Sequence, residues 1–141
     1  MWRRILDMLA FAHAAGWTHG ALHPAHLLVH PRDHGILLIG WAGAARAAAG
    51  SAAMARDLQQ AAWAMRAMLA GAGSGAGADQ DPPAIPATVP APLAKLLRRA
   101  SEDAAWCATV GATGQDSLLV AAALDAFGAP AFVEFSPGPF S

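Results

Sequence analysis

A chain of 141 residues that is 55% hydrophobic and 13% charged can build one domain with a core and is too apolar for wholesale disorder. Its net charge of −1 leaves no basic footprint for nucleic acid, and the one cluster, Lys95, Arg98 and Arg99, reads as a solvated helix face. Cys107 is the single cysteine, which excludes an intrachain disulfide and fits a reducing cytoplasm.

The first segment, "MWRRILDMLAFAHAAG", has two arginines before an apolar stretch, but Asp7 breaks that stretch too early for a signal peptide. Ile5, Met8, Leu9 and Ala12 recur at three and four residues, which predicts a helix that Gly16 can end. No run reaches the ~18 apolar residues of a membrane span, because Arg46 and Asp57 interrupt the one candidate. Next, "LLV" at 27–29 and "ILLI" at 36–39 flank "HPRDHG", a pattern that predicts a tight β-hairpin. Residues 40–55, "GWAGAARAAAGSAAMA", have no clear period and read as a loop or a weak helix.

From Asp57 onward Leu58, Ala61, Ala62, Met65 and Leu69 form a helical stripe that Gly71 can close. Residues 72–92 are Gly-rich and then Pro-rich, which predicts a linker or exposed loop. Leu93, Leu96, Leu97 and Ala100 mark a further amphipathic helix. A last helix is expected over 116–127, followed by an extended tail, and no internal repeat is present. The expected class is therefore mainly α with a small β-hairpin, in segments 1–71, 72–92 and 93–141. Alanine supplies much of the apolar count and buries little area, so the core must rest on larger side chains, with Trp17, Trp41, Trp63 and Trp106 as anchors.

Five histidines, His19, His23, His26, His30 and His34, crowd one stretch. Imidazole binds Zn²⁺, Ni²⁺ and Cu²⁺, so a metal site on His19, His23, His26 and His30 competes with a plain reading. In the plain reading His19 is buried and the hairpin histidines are solvated. Pro24 argues against a continuous helix through them, and no Cys or Glu lies close by to complete a site, although His13, Asp33 and Cys107 could arrive by folding.

In this order the segments resemble the C-terminal lobe of eukaryotic-type Ser/Thr protein kinases of bacteria. That family runs from a helix into H-R-D-L-K-P-x-N, then a hairpin, D-F-G, an activation segment and a buried helix opening with Asp. Here "ILDMLAFAHAAGWTHGALHPAHLLV", "GILLIGWAGAA" and "DLQQAAWAMRAMLAG" match those parts in spacing, while "VPAPLAKLLRRASED" and "LLVAAALDAFG" match the last helices more loosely. His19 stands at the histidine of H-R-D, with Gly20 for the arginine and Ala21 for the proton-accepting aspartate. His23 replaces the lysine near the transferred phosphate, and His26 replaces the metal-binding asparagine. Gly40-Trp41-Ala42 stands at D-F-G, so the magnesium-carrying aspartate is gone.

The resemblance implies a kinase-like C-lobe without its N-lobe, since Met1 falls inside the helix preceding the catalytic loop. It implies no phosphotransfer and no working ATP and Mg²⁺ site, because base and metal ligands are missing. It further implies that Asp57 accepts hydrogen bonds from the catalytic-loop backbone and that His19 braces the loop against the D-F-G region. Leu22, Leu27 and Leu28 would fill the core beneath, and Trp41 would either enter the phenylalanine cavity or lie exposed. Three functions compete: a pseudokinase scaffold, an eroded or truncated kinase gene product, and a histidine-rich metal binder. For the scaffold, a protein partner or a second copy is expected at an apolar seam near Leu37 and Trp41, in the cytoplasm, with neither nucleic acid nor membrane as partner.

Overall fold

The computed structural model describes residues 1–33, 35–71 and 81–112, with the side chains of 110–112 excepted. The helix expected over 116–127, the tail beyond it, the glycine-rich start of the linker and His34 lie outside the described residues.

Helix α1, Trp2–Ala14, buries Trp2, Ile5, Leu6, Leu9, Ala12 and His13, the recurrence that one face of an α-helix requires. Gly16, at φ +78°, turns the chain out of it in the left-handed conformation that glycine alone adopts without strain. Strand β1, Trp17–Thr18, follows at once, then a 3-10 turn at Pro24–His26. Strands β2, Leu27–Val29, and β3, Ile36–Leu38, form the expected hairpin in the register Leu27↔Leu38, Leu28↔Leu37, Val29↔Ile36.

Successive side chains on a strand face opposite ways, so this register decides which leucines are inside. Leu27 and Leu38 are buried. Leu28, expected in the core, is instead 48% exposed beside exposed Leu37. The hairpin thus carries an apolar outer face.

Residues 40–50 form a loop holding a 3-10 turn, Trp41–Gly43, and strand β4, Ala45–Arg46. Strand β4 pairs antiparallel with β1, giving a second two-stranded sheet that the sequence did not suggest. Helix α2, Ala52–Leu69, starts at Ala52 rather than at Asp57, and Ser51 Oγ accepts the Met54 amide at 3.3 Å as its N-cap. This helix is buried on nearly every side and packs on α1 and on two later helices. Those are α3, Ala91–Glu102, and α4, Ala104–Ala112. Helix α4 begins with the Asp103 carboxylate accepting the Trp106 amide at 2.8 Å.

Part of the expected linker is held in place. The buried Arg66 guanidinium donates to Pro83 O at 2.8 Å, to Ser101 Oγ at 2.7 Å and to Glu102 Oε1 at 2.8 Å, tying 81–86 to α2 and α3. A delocalised cation with several donors suits such a clamp better than lysine would.

Ile5, Leu6, Leu9, Leu58 and Leu97 form the core with a layer of fully buried alanines from α2. The tryptophans divide. Trp2 and Trp63 are buried, Trp106 is half-buried, and Trp17 and Trp41 are each 39% exposed, so the last two are not core anchors. Among the described residues no helix is long and apolar enough to cross a membrane.

Candidate functional site

The loop 19–26 lies against a polar strip of α2 made by Asp57 and Gln60. The two residues are three apart, so they share one helix face. Asp57 is fully buried, and its carboxylate accepts the His19 amide at 2.7 Å, the Gly20 amide at 2.8 Å and His13 Nε2 at 3.0 Å. It sits in the second turn of α2, beyond the reach of a helix-start acid, and one side chain ties α1, the loop and α2 together. Gln60 Oε1 accepts the next inward amide, that of Leu22, at 3.0 Å. Leu22 itself is buried beneath the loop.

His19 is fully buried. Its Nε2 lies 2.8 Å from Ile39 O and its Nδ1 accepts the Ala21 amide at 3.2 Å, which assigns the Nε2–H tautomer and employs both nitrogens within the fold. The bond to Ile39 O joins the loop to the chain just before Gly40. Trp41 packs edge-on against the His19 ring at 4.6 Å and donates its indole N–H to Leu38 O at 2.9 Å.

Gly20, at φ +80°, lies so close to Gly43 that an added Cβ would fall 2.9 Å from its carbonyl oxygen. Position 20 therefore takes no side chain without moving the 40–43 turn. Gly40, at φ +81°, is more crowded still: a Cβ there would fall 2.6 Å from His26 ring atoms. The imidazole fills the space that a side chain at position 40 would occupy. His26 Nδ1 donates to Ala21 O at 2.6 Å, which also fixes its orientation. His23 packs against His26 with 3.8 Å between ring centres and the planes tilted by 36°. Desolvation, then the neighbouring His26 and His19 rings, hold its pKa below the ordinary 6.5.

The four-histidine metal set is not brought together. His30 is at the hairpin turn, paired with Asp33 and exposed, while His19 has both nitrogens bonded. Among the described residues no three His, Cys, Asp or Glu side chains gather as metal donors. Cys107 is buried elsewhere, its thiol pushed up to about 11 by burial first and by Asp103 second.

Beside the loop, α1 and the hairpin leave an apolar groove of about 540 Å³ lined by Met8, Phe11, Ala12, Trp17, Leu37 and Trp41. Among the described residues Asp7 is its one acidic lining residue. The Arg46 guanidinium stacks over the Trp17 ring at 5.1 Å, just past the C-terminal end of α1.

Sequence reasoning missed Gln60 and Phe11, and named His13 only as a possible metal donor rather than as a partner of Asp57. His13 lies one turn past Leu9 on the buried face of α1, and Gln60 lies one turn past Asp57, so helical spacing could have found both. Phe11, 82% exposed on α1, carried no local signal. Comparison with protein-family models, curated proteins and solved structures yields no match.

Proposed function

We propose that this chain is a protein-kinase-like C-lobe that keeps the architecture of the catalytic loop without its chemistry, and that it serves as a cytoplasmic protein-interaction scaffold through the apolar groove. The observation that carries the reading is the Asp57 carboxylate holding the His19 and Gly20 amides from beneath. This is the contact that the resemblance assigns to the aspartate of the buried helix.

Above that clamp the groups needed for phosphoryl transfer are missing. Ala21 offers no lone pair to accept a hydroxyl proton. Magnesium takes oxygen ligands in near-octahedral geometry, whereas positions 26 and 40 offer an imidazole and a glycine pressed against it. These residues do not fit a metal-bound nucleotide, and no step is routed through one. Phosphoryl transfer works by positioning and charge neutralisation, and neither has a side chain to perform it here. The surface best suited to an interaction is the groove, because folded chains seldom expose apolar patches beyond a few hundred Å² without a use for them.

The purified chain, incubated with labelled ATP and Mg²⁺ or Mn²⁺, is expected to incorporate no phosphate into itself or a generic protein. Its melting temperature should barely move in Mg·ATP, since ligand stabilisation follows RT ln(1 + [L]/Kd). Incorporation that survives repurification and scales with protein concentration overturns the reading.

A further inference from the structure

We infer that the occupant of the apolar groove is a second copy of this chain, with Phe11 of each copy seated in the groove of the other. The inference rests on the groove being a contact surface, as proposed above, and adds the identity of what covers it.

A two-fold contact is isologous, so one patch must supply both knob and hole. Here it does. Phe11 forms part of the groove wall yet is 82% exposed, so its ring rises from the same face that holds the hole. A volume of about 540 Å³, walled by Met8, Trp17, Leu37 and Trp41, leaves room for an inserted phenyl ring. Buried aromatic anchors in such holes are what carry most interface energy.

The charges repeat this symmetry. Asp7, Phe11 and Ala15 follow one another at single-turn spacing along α1 and its C-cap, and all three are exposed. Just past the C-terminal end of α1, Trp17 lines the groove, pairs with Arg46 across the β1–β4 sheet and carries its exposed guanidinium on the ring. The acid therefore lies one turn before the knob and the base lies beyond it. A two-fold axis close to Phe11 sets Asp7 of each copy against the Arg46 end of the other. An unrelated apolar segment would use the hole but has no need of the knob or of opposite charges at the two ends.

Sedimentation velocity of the full chain at tens of micromolar tests this, with far-UV circular dichroism to verify folding of each variant. All the substituted residues are exposed, so folding should be unchanged. The wild type should run as a dimer, and Phe11→Glu should weaken it at least about tenfold. Asp7→Arg should weaken it less, and adding Arg46→Asp should restore it. A monomeric wild type, a dimer indifferent to Phe11→Glu, or a charge swap that fails to restore pairing overturns the inference. So does a dimer dissolved by Leu28→Glu but not by Phe11→Glu, which would place the contact on the outer face of the hairpin. A monomer that transfers no phosphate removes the dimer and leaves the scaffold reading standing. Phosphate incorporation removes the scaffold reading whatever the association state.

Discussion

The two faces of the 19–26 loop differ in how they are held. The inner face hangs on α2: three of its amides end on the side-chain oxygens of Asp57 and Gln60, and His13 completes the carboxylate's partners. On the outer face are Ala21, His23 and His26 over Gly40, with Trp41 half in solvent. Contacts there are ring packing, glycine close approach and two ring N–H bonds to backbone carbonyls, His26 to Ala21 O and Trp41 to Leu38 O. Losing an inner partner strands a buried donor, while outer positions tolerate exchange as long as the shapes still fit. A loop can therefore keep its backbone path after its reactive groups are gone, because path and reactivity depend on opposite faces.

The sharpest way to break that comparison is Asp57→Ala. It leaves the His19 and Gly20 amides unpaired and removes a buried carboxylate from His13, so it should cost about 3–5 kcal/mol in denaturant melts. A loss below about 1 kcal/mol would mean that water replaces the carboxylate and the inner face is no clamp.

On the outer face Gly40→Ala is the severest change. It sets a non-glycine residue at φ +81° and drives its Cβ into the His26 ring, for roughly 2–3 kcal/mol in total. In a His26→Ala background the overlap vanishes and about 1 kcal/mol of backbone strain should remain. A double-mutant cycle with no coupling would show that the ring simply swings away.

The smallest effect is a titration. The folded chain holds a proton on His23 less tightly than the unfolded chain, so the associated stability is present above the ordinary 6.5 and is lost as pH falls through the lower folded value. Because His23 is only partly buried, the change in melting should be slight. Its NMR midpoint should nonetheless fall below 6.5, and rise toward that value in His26→Ala.

Period and turn chemistry made α1 and the hairpin legible in the sequence. Ile5, Leu9 and Ala12 mark a helical face, and Pro31 with Gly35 bracket a turn between two apolar runs. The start of α2 was hidden because alanines carry no hydrophobic period, although Ser51 just ahead of them was a cap signal. The exposure of Leu28 follows from register, which a run of three apolar residues does not reveal. Trp17 and Trp41 looked like anchors by size alone, yet among the described residues nothing fills the groove they line. The 81–86 stretch looks like a linker by composition but is held by Arg66, a partner far along the chain that local composition cannot show. In the site, the resemblance pointed to Asp57, whereas the His26–Gly40 contact needed the hairpin register and a left-handed glycine to be known first.

Amide hydrogen exchange tests the contrast between the two faces most directly. Gly20 is exposed, but its amide points at the buried Asp57 Oδ1. The amides of His19, Gly20 and Leu22 should therefore exchange only through global unfolding, with the protection of Leu58 or Ala61 in the middle of α2. Ala44, whose amide bonds Trp41 O in the outer turn, should exchange through local opening and much sooner. Protection at Gly20 equal to that in α2 is the result expected; exchange at Gly20 as fast as at Ala44 would contradict the account.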